Sequence, residues 1–174
     1  MKKVVKVLIV IIVAFVGVGL ILPGEYTAST TYDFKHSKAA VHGILSDLSS
    51  WDQWGPWMKD DPNMKIELQG EGVGAKQIWT SRKAGNGSLT FTKVDSETGI
   101  AYDLNFDGYP PANASFEYSD VDGGVRVKWT MNGKMDMPVV GGYLALFFKT
   151  MIANSFEQGM KNIDELVEHA SREH

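Results

Sequence analysis

The stretch VRVKWTMNGKMDMPVVGGYLALFFKTMIANSF, residues 125–156, changes period halfway along. Up to Met131 the apolar residues alternate: Val125, Val127, Trp129 and Met131 share one face, while Arg126, Lys128 and Thr130 share the other. Alternation of that kind marks a half-buried strand. Beyond Pro138 the spacing becomes helical. Val140, Leu144, Phe147, Phe148, Met151, Ile152, Phe156, Ile163 and Leu166 read as one apolar stripe running almost to the C-terminus. A helix that long has an obvious place to bury its stripe, across the concave side of a curved sheet. The expected fold is therefore α+β, a curved antiparallel sheet of about six or seven strands gripping a long C-terminal helix.

The sequence upstream supplies the remaining strands. MKIELQGE, AKQIWTSR, LTFTKV, IAYDLNF and ANASFEYSDV are strand candidates separated by turn residues, with alternation cleanest at Tyr102, Leu104 and Phe106 and at Ala114, Phe116 and Tyr118. EYTASTTYDFK reads as a further strand with little apolar weight on either face. Ser37 is a good N-cap for the segment KAAVHGILSDL, whose Val41, Ile44, Leu45 and Leu48 give a narrow stripe. WDQWGPW, residues 51–57, then places three tryptophans around a Gly-Pro break. Trp51 and Trp54, three apart, can share a face of a short helical turn and point inward, with Trp57 beyond Pro56 nearer the rim. Core closure, a pocket wall and a membrane-interface role remain open for them. Gly159 in the last helix fits close backbone approach or room for a ligand.

The N-terminus has a different character. Val7–Leu22 is an uncharged apolar run of 16 residues, and with Val4, Val5 and Lys6 it reaches 19. At about 1.5 Å per residue that spans roughly 28 Å, close to a bilayer's hydrocarbon thickness. Lys2, Lys3 and Lys6 precede it and favour a cytoplasmic N-terminus, placing the rest of the chain on the far side. Residues 1–25 are thus expected to be a membrane anchor and 26–174 a single domain. The rival is a cleaved signal peptide, for which Thr27-Ala28-Ser29 would be the site.

Composition excludes several functions. From Tyr26 onward 14 cationic residues face 20 acidic ones, which gives no electrostatic reason to hold a phosphate backbone, so no nucleic acid is expected. The chain has no cysteine, which removes disulfides, zinc–thiolate sites and thiol nucleophiles. Asp103, Asn105, Asp107 and Gly108 resemble half of a calcium loop, but its twelfth position is Ala114. GEGVGAK lacks phosphate-loop spacing and reads as a hairpin connection. The histidines, with His36 and His42 six apart and His169 and His174 at the C-terminus, are expected on the surface and set no metal site. Asp60-Asp61 reads as a solvated polar turn. No nucleophile constellation stands out.

The order of strand, short helices, a run of hairpins and a long helix, with the segments LSDLSSWDQWGPW, DPNMKIELQGEGVGAKQIW, YSDVDGGVRVKWTMNGKM and FEQGMKNIDELV, resembles the START-like, polyketide cyclase/dehydrase (SRPBCC) superfamily and within it the bacterial membrane-anchored branch. These pieces cover nearly all of residues 26–168. Ser37 stands where relatives often have a proline opening the first helix. The resemblance implies the helix-grip fold and an apolar cavity between sheet and long helix, suited to a hydrophobic small molecule or lipid; from the residues themselves no cofactor or metal is expected. It also implies a single-pass protein of the bacterial inner membrane with the domain on its extracytoplasmic side. Trp54, Trp79, Phe91, Tyr102, Phe106, Phe116, Trp129, Phe148, Met151 and Phe156 are the residues expected to line the site. Two alternatives stand beside binding: a cyclase or dehydratase using Tyr102, Asp103 or Glu157, and a protein-interaction module with a filled core. The sequence does not set the oligomeric state.

Overall fold

The computed structural model describes residues 2–57, 61–83 and 85–172. Helix α1 (Lys2–Ile21) leads into strand β1 (Glu25–Phe34). Helix α2 (Lys38–Ser46), a 3-10 turn (Leu48–Ser50) and the single turn α3 (Trp51–Trp54) follow. Strands β2 (Lys65–Gln69), β3 (Lys76–Thr80), β4 (Gly87–Asp95), β5 (Gly99–Phe106), β6 (Ala112–Val121) and β7 (Gly124–Lys134) then run consecutively to helix α4 (Gly141–Arg172). All seven strands form one antiparallel sheet in the order β1-β7-β6-β5-β4-β3-β2. The first strand thus pairs with the last.

Register confirms the faces. Phe116 pairs with Trp129 and Ala114 with Met131; Tyr102 pairs with Ala114 and with Phe91. Every residue in those pairs is buried, whereas Ser29, Lys128, Glu117 and Asp103 point out to solvent. On the outer face Arg126 grips Asp33 with Nε at 2.6 Å and Nη2 at 2.7 Å. The β2–β3 connection Gly70–Gly74 carries left-handed φ of 70°, 62° and 91° at Gly70, Gly72 and Gly74. A side chain would be strained at each, which accounts for the glycine-rich sequence there without any phosphate.

The short helices are anchored by polar contacts. Ser37 caps α2, accepting from the Ala40 N–H at 3.2 Å. Ser50 Oγ donates to the Ile44 carbonyl at 2.7 Å, and Trp51 Nε1 donates to the Leu45 carbonyl at 3.1 Å. Asn162 Nδ2 on α4 donates to the Trp54 carbonyl at 2.8 Å. These bonds fix α3 against the middle of α4, so both of its tryptophans face inward.

Three expectations change. The stripe of α4 that meets the sheet is Ala145, Ile152, Phe156, Met160, Ile163 and Val167. Phe147 and Met151 are exposed instead, because they lie on a neighbouring strip of the same helix, and Val140 is exposed in the turn that precedes it. Asp61 is not solvated: it is buried and accepts from Ser81 Oγ at 2.6 Å, which holds its carboxyl below the usual range. Asp60 lies outside the described residues, as does His174. His36 and His42 are half-buried rather than superficial, with His36 Nε2 3.3 Å from Asp164 Oδ1 and His42 Nδ1 3.2 Å from the Tyr118 hydroxyl.

Candidate functional site

Strand alternation delivers an aromatic side chain from each central strand to the concave face, and α3 and α4 add theirs from the opposite side. Trp129 is the hub. Its ring stacks on Phe156 of α4 at 3.7 Å, nearly parallel, and meets Phe116 at 4.7 Å. Trp54 lies 5.7 Å away edge-on, and Trp57 caps the group at 6.0 Å. Trp51 extends the cluster, 5.4 Å from Tyr102 and 5.8 Å from Phe91. The edge-on and tilted contacts are the favoured geometries of aromatic pairs, while Trp129 and Phe156 lie directly face to face.

Of the ten expected lining residues, Trp54, Phe91, Tyr102, Phe116, Trp129 and Phe156 therefore come together in this cluster. Trp79 is buried further along the sheet, beside Phe106 at 5.5 Å. Phe148 is half-buried and faces Tyr109 at 6.5 Å, and Met151 is on the surface. Gly159 is explained by close approach. A methyl group there would sit 3.0 Å from Cζ3 of Trp129 and 3.6 Å from Pro56 Cδ.

The cluster holds few polar atoms, and their state defines its chemistry. Trp129 Nε1 donates to the Tyr102 hydroxyl at 2.8 Å. Burial pushes the Tyr102 phenol well above its ordinary pKa, and this hydrogen bond only partly opposes the shift. That phenol stays neutral at physiological pH. Asp103 is exposed on the outer face of the sheet. Glu157 is also exposed, bonded to Lys161 at 2.7 Å, which lowers its pKa. The carboxylates named for acid–base work are thus directed away from the interior.

Among the described residues, two groups on the inward side stand without hydrogen-bond partners: Trp54 Nε1 and Gln77 Oε1. Trp54 is fully buried, and Gln77, at 8% exposure, shares the inward face of β3 with Trp79. A buried polar atom left unpaired costs about 1–3 kcal/mol. One donor, on Trp54, and one acceptor, on Gln77, are thus buried without a partner on the inward side of the sheet.

A cleft opens where the 3-10 turn and α3 face the edge strand β2. It encloses about 320 Å³ and is lined by Leu48, Ser49, Asp52, Met64, Ile66 and Leu68. Ile66 and Leu68 pair with Trp79 and Gln77, yet Leu68 remains 43% exposed. The sequence reading missed this cleft, although the alternation of Ile66 and Leu68 continues the apolar face out to the sheet's edge. It also missed Gln77, and it read Trp51 as inward-facing without counting it among the lining residues.

A family model described as polyketide cyclase / dehydrase and lipid transport matches residues 26–168. No curated protein matches the chain. Among solved structures, a protein of unknown function from Staphylococcus aureus, SA2116, superposes with a TM-score of 0.67 at 11% identity, covering 85% of this chain and 96% of its own. TTHA0849 from Thermus thermophilus superposes at 0.63 with 16% identity, covering 83% and 99%. Ara h 8.0201 superposes at 0.58 with 16% identity, again covering 83% and 99%. At these identities the likeness is one of fold.

Proposed function

The chain belongs to the polyketide cyclase/dehydrase and lipid transport family, and on that premise we propose that it is a membrane-anchored binding protein for a hydrophobic small molecule or lipid. The observation that carries this reading is the pair of unpartnered interior groups, Trp54 Nε1 and Gln77 Oε1. An apolar enclosure that keeps a donor and an acceptor unsatisfied is matched by an apolar ligand carrying a hydroxyl, carbonyl or carboxyl group. Trp54, Phe91, Tyr102, Phe116, Trp129 and Phe156 form the apolar ground of the site, with Trp79 and Phe106 beside Gln77's strand. The cleft along Leu48, Met64, Ile66 and Leu68 serves as its approach. The binding proposed here needs no covalent step. Helix α1, with its 19-residue apolar span Lys3–Ile21, supplies the anchor, and the lysines at its start favour the extracytoplasmic side of a bacterial inner membrane for the domain.

A second reading has one observation in its favour. Trp51, Trp54, Trp129 and Phe156 contact one another across the space between sheet and helix, as they would in a protein-interaction module with a filled core. The test that separates the two is native mass spectrometry of the full chain extracted in detergent, followed by organic extraction. A defined apolar compound bound in stoichiometric amount supports the binding reading. A chain that carries none, and takes up neither fatty acids nor sterols, supports the filled core.

A further inference from the structure

Helix α1 does not leave the domain as a free tether; it docks on the start of α4. Phe15 stacks on Tyr143 at 4.6 Å with the rings parallel to within 2°, and the Tyr143 hydroxyl donates to the Phe15 carbonyl at 2.9 Å. Two glycines permit the approach: a methyl group on Gly19 would strike the Val139 carbonyl, and one on Gly142 would strike Leu22. Small residues play this part where helices cross closely in membranes. Val139 itself is held at φ 65°, the left-handed region that a β-branched residue avoids. The junction is thus built at the expense of local strain.

This docking fixes a depth. Phe15 lies six residues before the end of α1 at Ile21, about 9 Å along the axis at roughly 1.5 Å per residue. When α1 spans the bilayer, the Tyr143 ring is carried below the surface of the leaflet on the domain's side, and the start of α4, where Val139 and Gly142 lie against Gly19 and Leu22, sits at that surface. The residues at those turns match that setting. Val140, Leu146, Phe147 and Met151 are 40%, 55%, 61% and 40% exposed, and Tyr109 of the β5–β6 loop, packed on Phe148, is 49% exposed. Lys149 is exposed among them, placed to reach lipid phosphates while its stem stays in apolar surroundings. Further along α4 the corresponding strip turns polar, with Asn154, Ser155 and Gln158.

We propose that the first three turns of α4, with Tyr109, form a membrane-inserted rim continuous with α1, so that the domain sits in the leaflet surface rather than above it. The occupant of this apolar patch is lipid. The inference rests on α1 spanning the bilayer, as proposed above. It deepens that reading by bringing the half-buried Phe148 end of the grip level with acyl chains, from which a lipid could be drawn without crossing water.

The cysteine-free chain suits a direct test. Single variants Phe147→Cys, Leu146→Cys, Gly17→Cys in α1 and Ser119→Cys at the far end of β6 are labelled with an environment-sensitive fluorophore. The full chain is then reconstituted in phosphatidylcholine vesicles with a minority of phosphatidylglycerol. Quenching by nitroxide-bearing lipids and by an aqueous quencher is compared. The expected result is lipid quenching and loss of aqueous access at positions 17, 147 and 146, with the reverse at 119. Lipid quenching at 17 with full aqueous access at 146 and 147 keeps the anchor and overturns the rim. Protection at 146 and 147 without lipid quenching also overturns it, in favour of a second copy covering the patch. Absence of lipid quenching at 17 overturns the spanning anchor and the rim together.

Discussion

Gly159→Ala puts a number on how tightly the interior is packed. In an open helix this change stabilises by about 1 kcal/mol, because alanine is the better helix former. Here the new methyl group would lie 3.0 Å from Cζ3 of Trp129, several tenths of an ångström too close. Trp129 is poorly placed to yield: Phe156 stacks on one face, Phe116 and Trp54 adjoin it, and its Nε1 is held by Tyr102. Overpacking of a fixed neighbour costs about 1–3 kcal/mol, so the net change expected is a loss of about 0–2 kcal/mol after the propensity gain. Trp129→Phe removes the struck atoms. In that background Gly159→Ala is expected to stabilise by the full ~1 kcal/mol, leaving a coupling of about 1–3 kcal/mol between the two sites. Thermal unfolding of the full chain in detergent, followed by circular dichroism, reads this as about 2–4 °C per kcal/mol for a chain of this size. If Gly159→Ala stabilises equally in both backgrounds, the space beside Trp129 is empty and the packing argument fails.

Tyr102→Phe leaves the Trp129 N–H without its acceptor in the core and is expected to cost about 1–3 kcal/mol, measured by urea unfolding; no change in midpoint would show that another group accepts. His42 provides the pH dependence. Burial lowers its pKa from the ordinary 6.5, opposed in part by Asp95, so the folded state takes up a proton less readily than the unfolded chain. Its contribution is fully present above about pH 6.5 and is lost as pH falls through the lower folded value. A stability profile from pH 7 downward is expected to fall less steeply in His42→Gln, and an unchanged slope would remove His42 as the cause.

The strands were legible because one face of each is buried and the other solvated, which writes a period of two directly into Tyr102-Leu104-Phe106 and Val125-Val127-Trp129. The length of α4 was equally clear, but not the face it buries. Its first half carries two adjacent apolar strips, Leu144-Phe147-Met151 and Ala145-Phe148-Ile152, and only the position of the sheet and of α1 decides between them. Trp51 and Trp54 were readable from a spacing of three. The Asp61–Ser81 contact joins positions 20 residues apart, and nothing local to either announces it. Gln77 illustrates the same limit from the opposite side: its polarity points outward while its parity with Trp79 points inward, and the fold follows parity.

The central claim, that the interior is held ready for a ligand with polar groups, is tested most directly at Gln77. Gln77→Met keeps the volume and removes the unpaired amide oxygen. The measurement is the unfolding midpoint of delipidated full chain, wild type and variant, each with and without the compound recovered by extraction. The account expects the empty variant to be more stable than wild type by about 1–3 kcal/mol, and the compound to stabilise wild type more than the variant. A variant less stable when empty, or stabilised by the compound as much as wild type, would contradict it.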